Sequence, residues 1–334
     1  EITTRLVGSE MCIRDSIIAA PSYDPNSGGS IVLHKLCDLL NAQGEKAMLC
    51  PMDFCDYFLN GATKWQTFMH RICHPVYTRR YYKLLTYNCR KFETNPLWNT
   101  PIVEPVKLFF SFGLPRTIVV YPEMLSGNML GAKNVVRYFM HNPGHFTGKA
   151  EYGQGELYIR YSNSFARNYV PQAGSKVSSL LMTISVTPSC YNREGVARKR
   201  EGTAYIVRKG KGKKMVHDME HSILLDGKSH EEVASILKRV ERLVSYDPVT
   251  AYSSFALLCG CPSVIVLGDN ETPSTYHPDT VMRRMFAYAM DDQHVDMDEA
   301  VAWAEKRVAV QNERNEQVVK TFIIESQAFF QNKR

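Results

Sequence analysis

The sequence has no GxGxxG fingerprint, no pair of cysteines at CxxC spacing, no internal repeat and no low-complexity tract. The first absence argues against a nicotinamide-dependent oxidoreductase, because those glycines let the dinucleotide pyrophosphate approach the backbone. The nine cysteines are odd in number and scattered, which is typical of buried thiols in a reducing compartment. We therefore predict a cytoplasmic globular protein without a disulfide framework.

The chain also has a modest number of charged residues and only a small excess of positive charge. Charged residues make up 22% of the chain, hydrophobic residues 44%, and the formal net charge is +6. This composition is that of a soluble globular protein, and 334 residues suffice for two α/β cores. The mild positive charge fits an enzyme with an anionic substrate and does not indicate a nucleic-acid partner.

Long hydrophobic runs are rare, and the longest one, residues 246–268, is the most informative segment of the chain. It has no charge after Asp247, but the Gly260-Cys261-Pro262 break argues against a membrane span. We predict a buried helix over 250–259 followed by a buried parallel strand over 263–267. The start of such a helix favours an anion, so we predict donor-binding roles for the side chains near it: Tyr246, Asp247, Thr250 and Ser253.

The rest of the chain predicts two α/β domains. A strand over 16–21, a turn-rich loop over 22–30, a helix and a strand over 46–51 form the opening of a doubly wound parallel sheet. Further elements predicted are a strand over 116–123, a helix over 132–140, strands over 180–186 and 203–207, a helix over 230–238 and a long helix over 298–330.

Two segments stand apart from this pattern. Residues 4–16 resemble translated sequencing-adapter read-through, so we treat residues 1–15 as an artefactual or disordered tail. The aromatic and basic segment 70–90 is predicted to make peripheral contact with the inner face of the cytoplasmic membrane.

Two glycine-containing motifs suit a phosphate-bearing ligand. Ser27-Gly28-Gly29-Ser30 lets a ligand approach the backbone of Gly28 and Gly29 at the start of the first helix, or it is an ordinary turn. Arg208-Lys209-Gly210 directly follows a predicted strand, so Arg208 and Lys209 are predicted to neutralise a diphosphate. Lys213 and Lys214 are predicted to be solvated.

Three residues are candidates for the catalytic base that deprotonates a hydroxyl: Asp24, Glu123 and His145. Each follows a predicted element, and each has the alternative of a turn or cap residue. His217-Asp218-Met219-Glu220-His221 matches the H-x-x-E-H zinc-peptidase pattern, but the segment around it shows no apolar helical stripe, so we assign no metal and no cofactor.

Taken in order, residues 16–330 resemble a GT-B-type glycosyltransferase. Three motifs carry the resemblance: the Gly28-Gly29 loop, Arg208-Lys209-Gly210 and the stretch from Asp247 to Cys261-Pro262. The segment from Tyr121-Pro122-Glu123 to His141-Asn142-Pro143-Gly144 is similar to uncharacterised bacterial polysaccharide-cluster transferases. In the family the acid corresponding to Asp247, more often Glu, contacts the donor ribose.

The resemblance implies two Rossmann-like doubly wound domains facing a cleft and a C-terminal helix that crosses back to the first domain. Residues 16–172 would bind a glycan or lipid-linked acceptor, residues 173–305 would bind a nucleotide-diphosphate sugar donor, and residues 306–334 would form the returning helix. It implies sugar transfer without an obligatory metal. A sugar-nucleotide epimerase of the same fold and a non-catalytic nucleotide-sugar-binding protein remain as alternatives.

Overall fold

The computed structural model describes residues 15–52, 83, 85–110, 114, 116–163, 165–166, 169–247, 250–268, 271–288 and 295–331. The chain divides into two compact units. The first comprises residues 1–186 and 313–334, and the second comprises residues 187–312. Each unit contains one parallel β-sheet.

The first unit is built on a six-stranded parallel sheet. Its strands are β1 (Asp15–Ala20), β2 (Lys46–Pro51), β3 (Thr117–Pro122), β4 (Asn134–Phe139), β5 (Leu157–Arg160) and β6 (Lys176–Leu181). Their spatial order is β2-β1-β3-β4-β5-β6, and every pairing is parallel. All residues of β3 and β4 are buried, as expected for central strands covered on both faces.

Helix α1 (Gly28–Ala42) covers one face of this sheet, and α2 (Pro105–Phe110) lies in the same unit. The apolar positions of α1, which include Leu33, Leu36 and Leu40, pack against Ile18 and Val120 of the sheet. These positions recur every three to four residues, which is why this segment is an amphipathic helix. Ser27 caps α1, because its hydroxyl accepts a hydrogen bond from the backbone N–H of Ser30.

The second unit is built on a five-stranded parallel sheet. Its strands are β7 (Thr203–Ile206), β8 (Ser222–Leu224), β9 (Arg242–Ser245), β10 (Ser263–Ile265) and β11 (Ala287–Tyr288), in the order β11-β10-β9-β7-β8. Its helices are α3 (His230–Leu237), α4 (Tyr252–Leu258), α5 (Pro273–Tyr276) and α6 (Thr280–Arg284). Ser229 and Glu232 form a capping box that fixes the start of α3.

The last helix, α7 (Met297–Gln331), contributes to the cores of both units. Ala300 and Ala304 belong to the core of the second unit, and Val319 and Phe322 belong to the core of the first. Asn315 is 1% exposed, and its side-chain amide exchanges two hydrogen bonds with the backbone of Ser185, at 2.7 and 3.2 Å. The predicted fold class is therefore confirmed: two parallel-sheet α/β units and a C-terminal helix that returns to the first.

Two details of the sequence prediction were wrong. Residues 132–140 were predicted to be a helix, but residues 134–139 form strand β4. Their β-branched and aromatic side chains suit a strand buried on both faces, where no alternation marks the period. The second domain was predicted to begin at residue 173, whereas the second unit begins at residue 187 and β6 belongs to the first sheet.

Several predicted segments lie outside the described residues, including residues 1–14 and most of the basic segment 70–90, of which residues 85–90 are helical. Within the described part of the chain, no helix combines the length and the apolar character that crossing a bilayer requires.

Candidate functional site

Each sheet reverses its strand order at one point. In the second unit β7 lies between β8 and β9, and in the first unit β1 lies between β2 and β3. In open α/β sheets, ligands bind outside the carboxyl ends of the strands at such a switch point. The β7/β9 edge and the β1/β3 edge are therefore the candidate sites of the two units.

The tip of β7 has a strained and firmly held backbone. Arg208 starts a single 3-10 turn, Arg208–Gly210, with φ at +38°, in the left-handed region that non-glycine residues rarely adopt. The Asp226 carboxylate accepts the backbone N–H of Val207 and that of Arg208, both at 2.8 Å. Asp226 follows β8, so a neighbouring strand end holds the turn in place.

Gly210 closes this turn against the backbone of β9. A Cβ atom at Gly210 would lie 2.1 Å from the carbonyl oxygen of Tyr246. Because real Cβ atoms do not approach a backbone oxygen so closely, this position requires glycine.

The guanidinium of Arg208 lies beside the start of α4. Its Cζ is 5.5 Å from the ring centroid of Tyr252, the first residue of that helix. The imidazole of His230 is nearly parallel to the same ring, at 5.9 Å and 15°. Burial raises the pKa of Tyr252 and the Arg208 charge partly offsets this rise, as expected for a cation placed over the ring. The structure therefore brings together two features that the sequence predicted separately: the cationic strand tip and the helix start.

Lys213 was predicted to be solvated, but its side chain is half-buried at this edge of the sheet. Its ammonium donates a hydrogen bond of 2.7 Å to the carbonyl of Val266, which directly follows β10. The side chain therefore spans from the segment after β7 to the end of β10, with β9 between them. Lys211 and Lys214 are exposed, so Lys213 is the inward member among the lysines of this run whose side chains the structure describes. A run of lysines offers no sequence feature that singles out this member.

Tyr246 and Asp247, at the end of β9, are both buried. The Tyr246 hydroxyl accepts the backbone N–H of Val216 at 2.8 Å and lies 2.6 Å from Nδ1 of His217, so it holds the 216–217 segment against the sheet. Asp247 is 2% exposed. Glu271 is an exposed carboxylate of this region, and both Asp247 and Glu271 raise the pKa of Tyr276 in addition to the larger effect of burial.

The remaining predicted donor-binding residues of this unit differ in exposure. Ser253 is buried within the first turn of α4, and Thr250 is half-buried. The Thr250 hydroxyl accepts the backbone N–H of Tyr252 at 3.4 Å. The structure describes the backbone of Lys209 within the 3-10 turn and does not describe its side chain.

In the first unit, Asp24, Gly28 and Gly29 follow β1. The Asp24 carboxylate accepts the backbone N–H of Asn26 at 2.8 Å, so it stabilises the turn that leads into α1. Gly28 is exposed, with open space where a Cβ would lie. A Cβ on Gly29 would lie 3.8 Å from Cε of Met140, which places the start of α1 beside the end of β4.

Glu123 directly follows β3 and is 3% exposed. Its carboxylate accepts the backbone N–H of Met140 at 3.0 Å, and the Tyr152 hydroxyl donates to its carbonyl at 2.5 Å. Burial raises the pKa of Glu123, although hydrogen bonds from nearby backbone N–H groups oppose the rise. Glu123 thus ties the end of β3 to the end of β4.

His145 lies in the turn after β4, within a cluster of aromatic rings. Its ring centroid is 4.0 Å from that of His141 and 4.8 Å from that of Phe146. His141 also stacks on Phe165 at 5.1 Å and 28°. Burial, and then the neighbouring His145, lower the pKa of His141. Of the three predicted catalytic residues, Glu123 is buried, whereas Asp24 and His145 are exposed, and the Asp24 carboxylate already accepts a backbone N–H of its turn.

The zinc-peptidase alternative finds no support in the geometry. His217 pairs with Tyr246, and His221 pairs through its own Nδ1 with Asp218 at 2.7 Å. The 217–221 segment is not helical. Across the described part of the chain, no three His, Cys, Asp or Glu side chains gather in a set that could hold a metal ion.

Neither a scan against protein-family models nor a search of curated proteins gave a match. Among solved structures, the chain is similar to the glycosyltransferase SnogD from Streptomyces nogalater, with 8% identity, a TM-score of 0.35, and 93% of this chain and 99% of that chain covered. It is also similar to the β-glucosyltransferase of phage T4, with 8% identity, a TM-score of 0.40, and 95% and 97% covered. A sucrose-phosphate synthase from Thermosynechococcus elongatus gives 11% identity, a TM-score of 0.37, and 95% of both chains covered.

Proposed function

We propose that this protein is a glycosyltransferase that moves a sugar from a nucleotide-diphosphate donor to a glycan or glycolipid acceptor, without an obligatory metal. The observation that carries the proposal is the Arg208 guanidinium over Tyr252, at the switch point of the second sheet. A fixed cation at a switch point suits an anionic ligand such as a diphosphate.

The donor half of the proposal rests on two cations. Arg208 follows β7, and the ammonium of Lys213 reaches the end of β10. The end of β9 lies between these two strand ends. In sugar transfer the bond between the anomeric carbon and the diphosphate oxygen breaks, and negative charge develops on the departing diphosphate. Preorganised cations stabilise that charge, and a charge-assisted hydrogen bond contributes about 1.5–3 kcal/mol. We include Lys209 and Thr250 in this diphosphate site.

The ribose contact is assigned to a carboxylate near the end of β9 or β10. Asp247 is the residue that the family resemblance suggests, and its 2% exposure favours a role inside the fold. Glu271 is exposed, and its Oε2 accepts the backbone N–H of Gly268 at 2.8 Å. A carboxylate suits ribose hydroxyls because it accepts hydrogen bonds from both. We therefore favour Glu271 for the ribose and Asp247 for maintaining the end of β9.

The acceptor half of the proposal is assigned to the first unit. A hydroxyl of the acceptor attacks the anomeric carbon and gives up its proton to a general base. Of Asp24, Glu123 and His145, we favour His145, because its imidazole is exposed and histidine is the side chain that most often serves as a general base. Glu123 then serves as a positioning residue that fixes the end of β4.

The test begins with nucleotide sugars carrying UDP, GDP, CMP or ADP, screened by thermal shift to find the donor class. Lys213→Ala is then compared with Lys214→Ala, a matched control one residue away with an exposed side chain. We expect Lys213→Ala to weaken nucleotide-diphosphate binding about tenfold or more, and Lys214→Ala to change it less than twofold.

Three outcomes would contradict the proposal. If none of the four nucleotides stabilises the protein, the donor site is wrongly assigned. If the best donor is converted to a different nucleotide sugar without any acceptor, the enzyme is an epimerase. Binding without either reaction, across a panel of glycan acceptors, would leave a nucleotide-sugar-binding protein.

A further inference from the structure

The turn after β4 carries a group of aromatic rings that the assignment above uses only through His145. We call His141, His145, Phe146 and Phe165 the ring cluster. The turn bends at Gly144 and Gly148, whose φ angles are +78° and +69°, and a 2.8 Å hydrogen bond from the Gly148 N–H to the Gly144 carbonyl closes it. The backbone therefore presents His145 and Phe146 at a fixed place.

Exposure within the ring cluster is uneven. Phe146 is 62% exposed, and His145 is exposed as well. His141 and Phe165 are half-buried, and their rings stack with 5.1 Å between centroids and 28° between planes. The Phe146 ring packs against two rings, with its centroid 5.1 Å from that of His141 and 4.8 Å from that of His145, so its exposed face is held where a ligand can pack on it.

The arrangement of the exposed rings limits what they can bind. The planes of His145 and Phe146 meet at 85°, with 4.8 Å between centroids, so the two rings form a corner. A corner does not offer the parallel slot that a planar polycyclic molecule would occupy. It suits a pyranose ring, whose face of C–H groups packs on an aromatic ring while the hydroxyls at its rim reach imidazole nitrogens.

The position of the ring cluster agrees with this chemistry. Its turn follows β4, the neighbour of β3, and Glu123 after β3 holds the Met140 N–H. A Cβ on Gly29, at the start of α1, would lie 3.8 Å from Cε of Met140, so the start of α1 lies beside that side chain. The cluster thus lies next to the switch point of the first sheet, on the edge where ligands bind in this class of sheet.

From these observations we infer that the ring cluster is a binding site for a neutral pyranose ring of the acceptor, which packs in the corner between Phe146 and His145. This inference rests on the proposed function, because only a transferase has an acceptor, and it names the chemical class of that acceptor.

The experiment measures sugar binding in the absence of any nucleotide sugar. Saturation-transfer NMR is recorded with the methyl glycosides of glucose, galactose, mannose and N-acetylglucosamine, and with 2-naphthol and decyl phosphate as planar and lipid-like competitors. We expect saturation of the ring protons of at least one glycoside. Phe146→Ala should weaken binding of that glycoside about five- to tenfold, and Phe146→Tyr should preserve it.

A control variant separates the ring cluster from other surface aromatics. Tyr87→Ala removes a 54% exposed ring elsewhere in the first unit, and it should leave the saturation signal unchanged. Because Phe146 is exposed, Phe146→Ala should keep the melting temperature of the unaltered protein, so loss of binding cannot be ascribed to unfolding.

The inference is overturned if no glycoside is saturated, if Phe146→Ala binds as well as the unaltered protein, or if 2-naphthol or decyl phosphate displaces every glycoside. Its failure is separable from that of the proposed function. Sugar binding that depends on Phe146 in a protein without transfer activity would sustain the site and refute the transferase. Transfer activity with an acceptor KM that is unchanged in Phe146→Ala would support the transferase and refute the sugar-binding site.

Discussion

The strained tip of β7 makes a quantitative prediction about how Arg208 is held. Two hydrogen bonds join the Asp226 carboxylate to backbone N–H groups of the turn, each 2.8 Å long. Hydrogen bonds to a charged group contribute about 1.5–3 kcal/mol each. The left-handed conformation of a non-glycine residue costs about 1–2 kcal/mol. The two bonds together therefore outweigh the strain, whereas one bond is closely balanced against it.

Substitution of Asp226 should consequently act through Arg208. In Asp226→Asn the amide keeps one oxygen acceptor, and in Asp226→Ala both bonds are lost. We expect the first change to weaken binding of the preferred nucleotide diphosphate about threefold to tenfold and the second about tenfold or more. Arg208→Ala should weaken it at least as much as Asp226→Ala, since it removes the cation itself.

The decisive assay is a double-mutant cycle measured by isothermal titration calorimetry. If Asp226 works by positioning Arg208, the double variant Asp226→Ala with Arg208→Ala should bind no more weakly than Arg208→Ala alone. Additive losses would refute the reasoning, because they would mean that Asp226 affects the nucleotide by another route. Glu220→Gln removes an exposed acid of the same unit and serves as the charge control.

Three further predictions concern stability. Gly210→Ala should lower the free energy of unfolding by about 3 kcal/mol in urea titrations, because its Cβ would overlap the Tyr246 carbonyl; an unchanged midpoint would contradict that contact. Glu156→Gln should lower the free energy of unfolding by about 3–5 kcal/mol, since it leaves the fully buried Arg137 guanidinium, paired to Glu156 at 2.7 Å, without its counter-charge. A smaller loss in calorimetry would mean that neighbouring carbonyls are enough to stabilise the Arg137 charge. Burial lowers the pKa of His34 below its ordinary value of 6.5, so the unfolded chain binds more protons than the folded protein and stability should fall as the pH drops below about 6.5. This fall should be weaker in His34→Gln. An equal change of the unfolding free energy with pH in both proteins would contradict the prediction.

Local sequence patterns were sufficient to predict the fold class. Short apolar runs bounded by turn residues gave β1, β2, β3, β7 and β10 within about a residue or two of their observed ends. Each of those runs is short and continuous, which is how a buried parallel strand differs from a surface helix. The pattern failed at β4, where the same continuous burial removes the alternation that would have distinguished strand from helix.

The site was predictable only where a residue type and its place on an element coincide. Arg208 follows a strand directly, so the rule about carboxyl ends located it from the sequence. The partners that give it a fixed position come from other strands: Asp226 follows β8, and Tyr252 opens the helix after β9. Their sequence separations from Arg208 carry no periodic signal, and so the sequence did not indicate them.

The sequence by itself determined the strands β1, β2, β3, β7 and β10 and which of their ends carry cations and acids, because those properties depend on short apolar runs and on turn residues. Tertiary structure alone decided that Lys213 points inward while Lys214 stays exposed, that Asp247 is buried while Glu271 is exposed, and that His145 packs against His141 and Phe146. These outcomes depend on the strand order of each sheet, which brings together residues far apart in the chain, and side-chain burial follows from that order rather than from any neighbouring residue.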